Sequence, residues 1–324
     1  MGIAPLRLIA SLAAAALLPL ASAPLHARAD QAEPAPVPDE IEVRGKLEID
    51  KAIVAQNLRE MTTRPRVFDS VPRFFEPLCL HVVGPDQAAN RMIARRIMDA
   101  AAEAGLEKPE PRCQENAFVI IVDEPKQLVE RLVARRHSVT LEFGRDVTWR
   151  KLHDELSSGK PAVVWNRFTF TFAGVPAPLL PGDIPVLRSP TGTRLPGGAQ
   201  RPKALSVVLF DADLIGGATP AQLGDYAALQ LLAAPRRNID FEAVSARSIL
   251  ALFADGPDLA PEGLTAFDRA YLRGVYNNKG NGLRGHVNRA TLAAYQEECA
   301  EEAPDCQYLV PATESEGAKG KSTG

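Results

Sequence analysis

Histidine is scarce in this chain, with five among 324 residues. Past residue 29 only His81, His137, His153 and His286 remain, and no two of them stand three or four positions apart. That excludes a helix aiming two imidazoles at one metal. Cysteine is scarce as well: four in all, with no C-x-x-C pair to suggest a thiolate zinc site. An excess of one charge is also missing, since 37 basic side chains face 40 acidic ones. A nucleic-acid binder needs a basic surface, so no nucleic-acid partner is expected. Apolar runs long enough to span a bilayer are absent beyond the N-terminus, so no transmembrane segment is expected in the mature chain. With 46% hydrophobic residues and near-balanced charge, the sequence is not that of a disordered chain.

The N-terminus is different. Arg7 precedes a short apolar stretch from Leu8 to Leu20, and Ala27-Arg28-Ala29 is an A-x-A cleavage site. Residues 1–29 therefore read as a secretory signal cut before Asp30. Ala21-Ser22-Ala23 also fits, but Pro24 behind it would hinder the peptidase. The expected location is periplasmic or secreted, an oxidising setting that favours disulfides. Cys79, Cys113, Cys299 and Cys306 allow three pairings. Cys79 opens an apolar strand and Cys113 precedes the next, with a helical stretch between. Parallel strands joined by a helix start at the same edge of a sheet. The expected pairs are thus Cys79–Cys113 and Cys299–Cys306. In the chain-entropy account they stabilise by about 4 and about 2.5 kcal/mol.

Residues 30–75 carry no long apolar period and read as a flexible segment. Within them Asp39-Glu40-Ile41-Glu42-Val43-Arg44-Gly45-Lys46 alternates like an edge strand. It resembles the TonB-box-like segment near the mature N-terminus of outer-membrane receptors, which would let it add to a partner's sheet edge. Residues 76–310 read as one α/β domain whose core begins near Phe74. Its predicted elements are strand Leu78–Val83, helix Asp86–Ala104, strand Ala117–Val122, helix Pro125–Arg136, helix Val147–Leu156 and strand Val163–Phe172. Residues 176–202 are rich in Pro and Gly and read as a long irregular stretch, the second candidate contact surface for a protein partner. Strand Leu205–Phe210 follows. Thr219, Pro220 and Gln222 then open a helix running to about Ala234 that is apolar nearly all round. Arg236 and Arg237 suit its negative end. Thr265-x-x-Asp268 opens another helix, and a last one lies near Ala290–Cys299. Residues 311–324 read as a disordered tail.

This order of elements resembles the zincin fold of metzincin proteases. Ser248-Ile249-Leu250 falls where that family has its Met-turn, with Leu250 in place of Met. Leu264-Thr265-x-x-Asp268-x-x-x-Leu272-x-x-x-Tyr276 is similar to its terminal helix. The resemblance implies a mixed sheet with packed helices over roughly residues 78–276. The chain also resembles a family of secreted alphaproteobacterial proteins, which implies no activity. The departure lies in the helix that should hold zinc. It reads Gly224-Asp225-Tyr226-Ala227-Ala228-Leu229-Gln230, without the two histidines and the glutamate the chemistry requires. The expectation is a scaffold with no hydrolytic zinc and no cofactor.

Asp211-x-Asp213 after Val207-Val208-Leu209-Phe210 resembles the first motif of haloacid-dehalogenase-type phosphatases, where the first Asp attacks phosphorus. Leu214 and Ile215 stand where that family has Gly-Thr, and two aspartates ending a strand before a Gly-Gly turn also explain the pattern. Gly280-x-Gly282-x-x-Gly285 follows a helix, not a strand, and so lacks the dinucleotide cradle. Ser157-x-x-Lys160 has no companion motifs. Asp225 and Tyr226 are candidate binding residues. Asp225 shares a face with Gln222 and Leu229, and a buried carboxylate needs a partner, for which Arg269 or Arg273 is available. The expected function is a non-catalytic binding or scaffold protein. The alternative is a hydrolase, either metal-dependent or a phosphatase using Asp211 and Asp213.

Overall fold

The computed structural model describes residues 51–62, 70–134, 149–172, 175–176, 179–180, 184–185, 199–233, 235–277, 282–300 and 306. The chain divides into Met1–Gly45 and Lys46–Gly324, and every described residue belongs to the second unit. The signal stretch, segment 39–46 and tail 311–324 lie outside the described residues.

The fold is mixed α/β. A four-stranded sheet holds β1 (Leu80–Val83), β2 (Ala117–Val122), β3 (Ala162–Phe168) and β4 (Lys203–Asp211) in the spatial order β1-β2-β4-β3. The first two and β4 are parallel, and β3 runs antiparallel to β4 at the edge. Central strands are covered on both faces, which is why β2 is apolar throughout and β4 carries the run Val207-Val208-Leu209-Phe210. Helices α1 (Lys51–Met61), α2 (Gln87–Glu103) and α5 (Pro220–Ala233) belong to the larger core, which takes in Ile93, Ile97, Val119, Val208, Phe210 and Leu229. On the other face α3 (Pro125–Ala134) and α4 (Trp149–Leu156) set Val129 and Leu152 against Val163, Trp165, Val207 and Leu209. The short α6 (Leu252–Asp255), α7 (Ala266–Tyr276) and α8 (Arg284–Ala300) complete the larger core. Two disulfides staple it: Cys79–Cys113, with Cα atoms 5.9 Å apart, and Cys299–Cys306, at 5.5 Å.

Three sequence expectations need correction. The segment 30–75 is not uniformly flexible. Val54, Leu58 and Met61 of α1 are buried, so the core begins twenty residues before Phe74. Its apolar stripe is too short to stand out, and buried Asn57 interrupts it, exchanging hydrogen bonds with Ser245. The strand expected over Val163–Phe172 is broken. β3 has a register shift at Arg167/Phe168, and Thr171–Phe172 pairs instead with Val175–Pro176 and Ala199–Gln200. Within 176–202, Leu179–Leu180 pairs with Ile184–Pro185, so this stretch contains short ladders.

The end of α5 also departs from expectation. Arg236 and Arg237 do not cap it. The carbonyls of Leu231, Leu232 and Ala233 accept from Lys203 Nζ, from the Tyr276 hydroxyl at 3.1 Å and from the Tyr271 hydroxyl at 3.5 Å. A helix end buried in a core leaves carbonyls that other side chains must satisfy. Burial pushes the Lys203 amine well below its ordinary range and raises both phenols.

Candidate functional site

A cleft of about 370 Å³ opens beside the antiparallel edge strand. Ala162 and Val164 of β3 line it, together with Arg236 to Ile239. Its floor holds Tyr226 and Gln230 from α5, then Phe241, Leu250 and Phe253. Tyr226 and Gln230 lie one helical turn apart, so both reach the same opening. Tyr226 packs edge-on to Phe253 with ring centroids 5.0 Å apart, and Phe210 lies 6.0 Å from Tyr226. Burial pushes the Tyr226 phenol up to about 12, against the opposing effect of its hydrogen bond with Gln230. It is therefore a neutral hydroxyl at any physiological pH.

The rim is basic and organised. Arg236 donates to the Glu60 carboxylate at 2.9 Å and to the Glu60 carbonyl at 3.2 Å, fastening this stretch to α1. Arg237 donates to Glu155 at 2.5 Å and to the Val164 carbonyl at 2.7 Å. The Lys160 ammonium donates to Asn238 Oδ1 at 3.3 Å.

The backbone phase of β3 fixes what faces the cleft. The Asp211 N–H donates to the Pro161 carbonyl, and the register pairs Val163 with Leu209. Hydrogen-bonded pairs alternate along an antiparallel ladder. Residues 161, 163 and 165 thus bond to β4, while the N–H and C=O groups of Ala162, Val164 and Asn166 point outward. Among the described residues, β3 pairs with β4 alone. This outer edge borders the cleft at Ala162 and Val164, where the Val164 carbonyl is taken by Arg237.

The structure separates the two candidate binding residues. Tyr226 is in the cleft. Asp225 is one position further round the helix and packs against α2. Its carboxylate takes two hydrogen bonds from the Arg96 guanidinium, one of 2.8 Å to Nε, and a third at 2.7 Å from the Leu264 N–H. Its partner is Arg96, not Arg269 or Arg273, which both pair with Glu298 of α8. Gly224 explains the choice: a Cβ there would lie 2.8 Å from Arg96 Cβ, so bare glycine brings α2 against α5 with Arg96 at the contact.

Asp211 and Asp213 end β4 in a turn. The Asp211 carboxylate accepts from the Asp213 N–H at 3.1 Å, a local bond typical of aspartate at strand ends. Ser248 and Asp268 form a buried network elsewhere. Asp268 accepts from the Ser248 hydroxyl at 2.6 Å, the Ile249 N–H at 2.8 Å and the Thr265 N–H at 3.1 Å. Burial still pushes its carboxyl up to about 6. Among the described residues, no group of three or more His, Cys, Asp and Glu side chains is arranged to hold a metal ion.

Gln230, Arg237, Val164 and Phe253 are far apart in sequence and come together only in the fold. The one available signal was Gln230, the polar residue in the apolar second half of α5 from Ala227 to Ala233. No family model, curated protein or solved structure matches the chain.

Proposed function

We propose that this chain is a non-catalytic binding protein, periplasmic or secreted, that holds an extended peptide in the cleft beside β3 on a zincin-like scaffold without zinc. The observation that carries the reading is the outward edge of β3 running along an aromatic floor. A peptide laid there exchanges main-chain hydrogen bonds with Ala162, Val164 and Asn166 while alternate side chains reach Phe241, Leu250 and Phe253. The metzincin resemblance places residues 224–230 at the zinc helix and Ser248-Ile249-Leu250 at the Met-turn, and of these Tyr226, Gln230 and Leu250 line the cleft. That both stretches contribute to one cleft supports the scaffold reading. In chemistry those three side chains are a phenol, an amide and an alkyl group, suited to contact and not to ligating zinc. Two disulfides, and no helix among the described residues long and apolar enough to cross a membrane, fit an extracytoplasmic location.

The test is selection of peptides on the purified full chain from a displayed random library, followed by calorimetry. Enriched peptides are expected to bind, and Phe253→Ala is expected to weaken them about tenfold or more by removing a buried aromatic contact. Enrichment of nothing, or of peptides indifferent to Phe253→Ala, refutes the cleft. Release of phosphate from a generic ester that is lost in Asp211→Asn would restore the phosphatase alternative.

A further inference from the structure

The outer edge of β3 is not bare. Its central acceptor, the Val164 carbonyl, is occupied by Arg237, whose other amine holds Glu155 at the end of α4. The guanidinium sits on an outward carbonyl at which a new strand would have to pair. A planar fork with donors on separate nitrogens can hold a carboxylate and a carbonyl together, which a point cation cannot.

We propose that Arg237 is a displaceable stopper on the peptide cleft, and that it selects extended peptides carrying an acidic side chain opposite Val164. This rests on the peptide reading above and adds its regulation and its ligand class. Pairing at Val164 requires the guanidinium to leave that carbonyl. Arg237 keeps Glu155 on one amine, and an acidic side chain on the incoming strand supplies an acceptor for the amine that leaves Val164. A neutral or basic strand offers no such exchange. Lys160 adds positive charge at the same rim, where Arg236 is paired with Glu60. The stopper also bears on the protein by itself. A free strand edge is a template for pairing between copies, and a charged side chain laid over it is one way such pairing is prevented.

Two blocked octapeptides of alternating valine and threonine supply the test, one with a central glutamate and one with a central lysine. Affinities for the full chain and for Arg237→Ala are read by fluorescence anisotropy. The glutamate peptide is expected to bind the unmodified chain about tenfold tighter than the lysine peptide. In Arg237→Ala the lysine peptide is expected to gain affinity and the preference to vanish. An unchanged preference in Arg237→Ala overturns the stopper and leaves the cleft standing. Arg237→Lys, which keeps the charge and loses the fork, serves if the alanine variant does not fold.

Sedimentation of the same variants gives a readout that needs no peptide. Arg237→Ala is expected to self-associate with rising concentration. Adding Val164→Pro is expected to reverse this, because proline there removes an outward N–H while sparing the ladder to β4. If neither peptide binds any variant, the peptide reading fails and sedimentation decides the stopper. Self-association reversed by Val164→Pro upholds it, and a variant as monodisperse as the unmodified chain overturns it.

Discussion

Replacing Gly274 by alanine sets two known effects against each other, and the structure decides the sign. Gly274 lies in the middle of α7, where alanine favours a helix by about 1 kcal/mol. It also lies where α7 meets α8. A Cβ added there would stand 2.7 Å from the Thr291 backbone nitrogen and 2.9 Å from its Cα, and closer still to its hydroxyl. The hydroxyl can rotate away, but the backbone of α8 cannot. The two helices must therefore separate, which loosens the edge-on contact of Phe267 with Tyr295 at 5.7 Å. Overpacking of this kind costs about 1–3 kcal/mol, and a rigid obstacle belongs at the upper end. The net expectation is a loss of about 2 kcal/mol, or roughly 4–8 °C in Tm for a domain of this size. Urea unfolding followed by the fluorescence of buried Trp165 reads it. Thr291→Ala should not rescue the variant, since the backbone contacts persist. An alanine variant as stable as the unmodified chain would refute the claim that backbone contact limits this interface.

Three further outcomes are expected. Arg96→Met strands the Asp225 carboxylate, which is 1% exposed, and should cost about 3 kcal/mol, with Asp225→Asn in the same chain recovering part of it; a double-mutant cycle in urea measures both. Asp268 has its folded value raised from 3.8 to about 6. Between those values the folded chain keeps a proton that the unfolded chain has released. Its contribution should therefore fall by on the order of 3 kcal/mol as pH rises through that window, then stay level. Unfolding free energy against pH should show this slope, and Asp268→Asn should remove it. Serine at Cys79 and Cys113 should cost about 4 kcal/mol and serine at Cys299 and Cys306 about 2.5 kcal/mol, read from the two denaturation midpoints.

Local chemistry was legible in the sequence, and long-range pairing was not. Thr219 and Gln222 exchange the two bonds of a capping box, as do Thr265 and Asp268, and Asp86 caps α2. Each of these signals lies within four residues of its partner. The predicted class, mixed α/β with packed helices, followed from such signals and from apolar periodicity. The partner of Asp225 is 129 residues away and was assigned to the wrong arginines. The cleft draws on residues from Glu155 to Ala254, and only their convergence makes it a site. Arg237 shows the limit best. Beside a helix end its charge has a ready dipole explanation, and only the placement of β3 reveals that it reaches a strand edge.

The capped end of α5 has a kinetic consequence. Lys203 arrives with the sheet, while Tyr271 and Tyr276 arrive with a helix much later in the chain. The three donors meet only once those parts have docked, and the expectation is that these bonds close late in folding. Removing a hydroxyl, as in Tyr276→Phe, should then hasten unfolding while leaving refolding almost untouched, making this buried junction a clasp that governs how long the folded chain persists.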